Sequence, residues 1–60
     1  MVNVQMTEDN GILTIVVDMT KEFGRSKSGK TITIASTKGN QQVPNQPTAR
    51  IGLNVYKYAD

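Results

Sequence analysis

Apolar and polar residues alternate along this chain, and wherever the alternation is strong its period is two, the spacing of a β-strand. Over residues 11–19, Leu13, Ile15, Val17 and Met19 fall on one face and Ile12, Thr14, Val16 and Asp18 on the other. Over residues 30–37, Ile32 and Ile34 alternate with Thr31, Thr33 and Ala35, a β-branched run suited to a pleated, half-buried surface. Over residues 50–58, Ile51, Leu53 and Val55 face one way and Arg50, Gly52, Asn54, Tyr56 and Tyr58 the other. A weaker strand, residues 2–6, alternates Val2, Val4 and Met6 with Asn3 and Gln5. The predicted fold is therefore all-β: a small antiparallel sheet of about four strands. Its inward set is Leu13, Ile15, Val17, Ile32, Ile34, Ile51, Leu53 and Val55.

Turn residues separate these runs. Glu8-Asp9-Asn10-Gly11 contains an Asn-Gly pair, which tolerates positive φ at both central positions of a tight hairpin and makes the first two strands antiparallel neighbours. Residues 20–29 are rich in Lys, Ser and Gly; only Thr20-Lys21-Glu22-Phe23 suits a single helical turn, with Phe23 tucked back onto the core. Residues 38–47, with Gly39, Asn40, Gln41, Gln42, Pro44, Asn45, Gln46 and Pro47, read as a long polar loop. The sheet thus carries two loops, one basic and one polar.

Length changes this picture by limiting the core. Sixty residues make one small β domain, 1–60, and a chain of that size buries only roughly 60% of the surface it exposes when unfolded. A lone four-stranded sheet also leaves one face and two edges open. Pairing with another copy covers them, so a homodimer or higher homo-oligomer is expected.

Composition removes several functions. There is no Cys and no His, hence no disulfide, thiolate or imidazole chemistry and no common zinc site. The longest apolar stretch, residues 12–17, is far shorter than the roughly 20 residues needed to cross a bilayer. No basic region followed by an apolar core marks a secretory signal, and a cysteine-free chain suits the cytoplasm. The five carboxylates are Glu8, Asp9, Asp18, Glu22 and Asp60; only Glu8 and Asp9 adjoin, beside a turn that favours them for backbone reasons. Asp18 sits on the solvent face of a strand without a base partner. The reading is non-enzymatic, with no catalytic residue, no metal and no cofactor.

One motif needs a decision. Gly24-Arg25-Ser26-Lys27-Ser28-Gly29-Lys30-Thr31 matches the phosphate-binding loop pattern, in which backbone N–H groups wrap a phosphate, a lysine reaches the outer phosphates and a hydroxyl meets magnesium. That chemistry requires a helix starting at the lysine. Here Lys30 is followed by Thr31-Ile32-Thr33-Ile34, a strand pattern. Residues 24–31 are read as a basic hairpin loop, with no nucleotide partner.

Charge is the feature that reaches toward function. The net charge is only +2, yet residues 20–57 hold all seven basic residues and a single acid, Glu22. Lys21, Arg25, Lys27, Lys30 and Lys38 flank the third predicted strand, and with strand four beside it the solvent face joins Thr31, Thr33 and Thr37 to Arg50, Asn54, Tyr56 and Tyr58. Cations that track phosphate beside exposed rings that stack on bases describe a single-stranded nucleic-acid platform. Its candidate residues are Lys21, Arg25, Lys27, Lys30, Lys38, Arg50, Tyr56 and Tyr58. The competing reading is a protein-interaction or assembly module in which the tyrosines pack between subunits.

Overall fold

The computed structural model describes residues 1–59. Its regular structure is all β: β1 (Gln5–Asp9), β2 (Ile12–Val16), β3 (Thr31–Ser36), β4 (Gln41–Val43), β5 (Gln46–Ile51) and β6 (Asn54–Tyr58). In place of one four-stranded sheet there are three antiparallel pairs, β1 with β2, β3 with β6 and β4 with β5.

The first pair follows from its turn. Asn10 and Gly11 have φ of 50° and 83°, the left-handed conformation that a two-residue hairpin with the strands' own twist requires. The register runs from Gln5 opposite Val16 to Asp9 opposite Ile12. The first strand accordingly starts and ends three residues later than residues 2–6, because the turn sets how far pairing extends. Val2 is used elsewhere, bridging to Ser36.

The predicted polar loop contains a third hairpin. Pro44 sets φ for the first central position of its turn, and Asn45, at φ 63°, supplies the positive φ of the second. Val43 pairs with Gln46 and Gln42 with Arg50, so Pro47, Thr48 and Ala49 bulge out of the ladder, where a proline costs no hydrogen bond. The predicted strand over residues 50–58 is correspondingly broken at Gly52 and Leu53. Its first two residues end β5 and its last five form β6, since one straight strand cannot pair with both β4 and β3.

β3 is the centre of the molecule. β6 lies along one edge, with Thr31 opposite Tyr58, Ile32 opposite Lys57 and Thr33 opposite Tyr56. Along the other edge run residues 23–26, where Thr33 N–H donates to the Gly24 carbonyl at 2.9 Å and Ser26 N–H to that of Thr31 at 2.9 Å. Val2 exchanges two further backbone bonds with Ser36 on the same edge. This segment's pairing replaces the helical turn considered for residues 20–23, and it leaves Phe23 46% exposed, not tucked into the core.

The register slips between Thr33 and Ala35, making Ile34 the extra residue of a bulge. The slip brings Ala35 onto the face of Val55 and removes both Ala35 and Ile34 from solvent. Thr37, placed on the solvent face by strict alternation, is instead 1% exposed. The core is thus the short run Ile34, Ala35, Ser36 and Thr37 together with Val43 of β4. Most of the expected inward set is only half-buried, and Ile15 is exposed.

Polar clamps join the hairpins where apolar packing is thin. Asn3 donates to the carbonyls of Asp18 (2.8 Å) and Ile34 (2.9 Å) and accepts from Asp18 N–H, tying the end of the first hairpin to β3. At the other end, Glu8 accepts from the Gln46 amide at 2.8 Å and from Asn45 at 3.3 Å, bridging to the third hairpin's turn. Gln41 donates to the Thr37 carbonyl at 3.1 Å. The result is long and flat, 41 × 20 × 13 Å.

Candidate functional site

Tyr56 and Tyr58 are the most exposed aromatic residues of the described chain, 56% and 77% open, and they stand on one face of β6. Alternation and register place Thr31, Thr33 and Ser36 of β3 on that face with them, alongside Asn54. The Ser36 hydroxyl donates to Asn54 Oδ1 at 2.8 Å, which fixes the near end of the row. The two rings meet edge to face with centroids 6.2 Å apart, the arrangement their quadrupoles favour. Small neighbours leave both rings standing clear of the sheet.

The predicted cations do not gather around those rings. Arg25 pairs with Ile32, which in turn pairs with Lys57, so these three residues share the opposite face of the sheet. The Arg25 guanidinium donates to the Gly29 carbonyl at 3.0 Å, closing its own hairpin, and Lys57 is ion-paired with Glu22 at 2.5 Å. Lys27 occupies the hairpin turn and Lys30 leads into β3. Lys38 follows the far end of the same strand, roughly 25 Å from Lys30 at ordinary strand rise. Arg50 belongs to β5, opposite Gln42. Lys21 lines a shallow groove with Asn3, Gln5, Val16 and Asp18. The structure therefore brings together Tyr56 and Tyr58, gathers Arg25, Lys27 and Lys30 at one hairpin, and separates Lys21, Lys38 and Arg50 from both.

The hairpin that matches the phosphate-loop pattern is closed by its own polar groups. Ser26 and Ser28 hydroxyls lie 3.2 Å apart, Gly29 N–H donates to the Ser26 carbonyl at 2.9 Å, and Arg25 spans the loop. Thr31 begins a strand, so the backbone offers no helix N-terminus to an anion at Lys30.

Two carboxylates are perturbed, both by hydrogen bonds. The Gln46 and Asn45 amides hold Glu8 below the usual carboxylate range, aided by Gly11 N–H. The Thr20 hydroxyl and N–H lower Asp18, with Lys21 nearby adding a smaller attraction. Asp18, placed by alternation on a solvent face, orders the turn that follows β2 through bonds of 2.6 and 2.9 Å from Thr20. Among the described residues no group of three or more acidic, His or Cys side chains is placed to hold a metal, and no helix is long and apolar enough to cross a membrane.

Sequence reasoning passed over three groups that organise this surface: Asn3, Glu8 and Thr37. The Pro44-Asn45 turn pair signals the third hairpin, and with it a partner for Glu8. Nothing local marks Asn3, whose partners lie 15 and 31 residues away, or the bond between Thr37 and Leu53, which spans 16 residues. Set against protein-family models, characterised proteins and solved structures, the chain matches none of them.

Proposed function

We propose that this chain is a non-enzymatic assembly module that works as a homo-oligomer. The observation that carries this reading is its excess surface. The chain has 4522 Å² of accessible surface, whereas a compact monomer of its 6.6 kDa has about 3,900 Å². Its radius of gyration, 13.0 Å, likewise exceeds the roughly 10 Å of a compact chain of 60 residues. Ile12, Val16, Met19, Phe23, Tyr56 and Tyr58 all project into solvent. Association with another copy is the ordinary way to cover such a surface. Light scattering on the eluting protein tests the reading: a dimer or larger species at micromolar concentration is expected, and a monomer there overturns it.

A second reading rests on a separate observation, the two open rings on a face of small polar side chains. In it the face stacks the bases of single-stranded nucleic acid while Arg25, Lys27 and Lys30 meet phosphates. The scatter of the remaining cations weighs against it. Titration with single-stranded DNA and RNA at several salt concentrations separates the readings. Contact with about three phosphates gives a log–log salt slope of about −2, and each tyrosine-to-alanine change costs about 1–3 kcal/mol with little change of slope. No binding at about 50 mM salt removes this second reading.

A further inference from the structure

β3 has both edges occupied, and the hydrogen bonds on its outer edge determine what β6 leaves open. Thr31 and Thr33 direct their backbone groups to residues 23–26, and Ser36 directs its own to Val2. The residues between them therefore turn toward β6, which makes Ile32 and Lys57 a hydrogen-bonded pair. Ala59 agrees, since its N–H donates to the Lys30 carbonyl at 2.8 Å. By alternation, Asn54, Tyr56 and Tyr58 point their N–H and C=O groups away from β3, along an edge that has no partner strand among the described residues.

Exposed edges are ordinarily blunted by proline, bulges, charge or shortness. β5 has Pro47 and a wide bulge, β4 has only three residues, and β1 ends in Glu8-Asp9. β6 has none of these defences. Its sequence is Asn-Val-Tyr-Lys-Tyr, rich in strand formers, and its one charge is drawn aside by Glu22. β2 is also undefended, but polar clamps are what hold its hairpin to the rest, whereas β6 is fastened to the strand that carries the core. A rigid edge loses less freedom on pairing.

We infer that a second copy of this chain docks on β6, strand against strand about a two-fold axis at Tyr56. This rests on the assembly reading and adds the surface and the register. In that register Tyr56 opposes Tyr56 of the other copy as a hydrogen-bonded pair, and Asn54 opposes Tyr58 on either side. All three outward residues are thereby paired and six intermolecular backbone bonds form. Lys57 falls opposite Val55, so no like charges meet. Centring the axis on Lys57 opposes two ammonium groups, and it pairs Tyr56 only with Tyr58, so Asn54 finds no partner within β6. The four tyrosines then lie on one side of a continuous sheet. The roughly 600 Å² of surface beyond that of a compact chain is of the order of the roughly 800 Å² per partner that a specific interface buries.

The chain has no cysteine, so single-cysteine variants report the axis directly. A hydrogen-bonded antiparallel pair has Cα atoms about 5.5 Å apart, inside the range a disulfide spans. Oxidised Tyr56→Cys is expected to run as a covalent dimer while Thr14→Cys, at the middle of β2, stays uncrosslinked. Tyr56→Pro removes an N–H that only the interface uses, so it is expected to keep the strand-type circular dichroism of the wild type and to weaken self-association about 30-fold or more, as two lost hydrogen bonds per dimer imply. A wild-type dimer that crosslinks at Thr14→Cys and not at Tyr56→Cys, or that persists undiminished in a folded Tyr56→Pro, overturns the β6 interface and leaves the assembly reading standing. A wild-type monomer overturns both.

Discussion

Thr37 offers the sharpest check on the internal architecture, because its hydroxyl joins the end of β3 to the Gly52-Leu53 crossing. The hydroxyl accepts from Leu53 N–H at 3.0 Å and donates to the Gly39 carbonyl at 2.6 Å, and the residue is 1% exposed. Thr37→Val keeps the side-chain shape and removes both bonds. The Gly39 carbonyl belongs to an exposed residue and exchanges its partner for water. Leu53 N–H is part-buried, and stranding such a donor costs about 1–3 kcal/mol. Thr37→Ser keeps the hydroxyl and loses one methyl, worth about 0.8 kcal/mol. Urea unfolding followed by far-ultraviolet circular dichroism at one fixed protein concentration reads the difference, since self-association makes stability concentration-dependent. With a slope of about 1 kcal/mol per molar urea, the midpoint falls by about 1–3 M for valine and by under about 1 M for serine. A valine variant as stable as the wild type, or more stable than the serine variant, refutes the bridging role.

Three further outcomes follow from the same geometry. Glu8→Gln is expected to destabilise the chain at neutral pH, with the deficit shrinking in acid: the folded carboxyl titrates below its unfolded value of about 4.3, so its stabilisation is complete above that pH and is lost as pH falls through the folded pKa. A deficit that stays constant from neutral pH down to about pH 2 contradicts the hairpin clamp. Gly11→Ala meets no neighbouring atom but must keep φ near 83°, so it is expected to cost about 1 kcal/mol. The melting temperature should fall by about 4–8 °C, and an unchanged melt refutes the tight-turn geometry. Ile34→Ala, at a position 3% exposed, should cost about 2–5 kcal/mol, and Ile15→Ala, 37% exposed, less than about 2 kcal/mol. The reverse order on denaturant unfolding places the core on the wrong hairpin.

The sequence alone settled those features whose causes lie within a few residues. Alternation of β-branched and polar residues specified an all-β chain, and Asn10-Gly11 specified the first hairpin, because positive φ at two successive positions is a local steric matter. The strand after Lys30 was legible for the same reason, and with it the lack of a helix at the phosphate-loop match. Pro44-Asn45 carried an equally local signal of a turn, obscured by the polar residues around it. Tertiary structure alone decided the rest. The bulge at Ile34 shifts β3 by one residue, and since strand faces repeat every two residues, that single step buries Ala35 and Thr37 against the prediction of strict alternation. Arg25 and Tyr56, both candidates for one binding face, stand on opposite faces of the sheet because each face is set by register with Ile32 and Thr33. Register depends on backbone hydrogen bonds between segments far apart in the chain, so it leaves no mark at either residue. The open edge of β6 has the same origin: its direction is dictated by what Val2 and residues 23–26 do on the far side of β3.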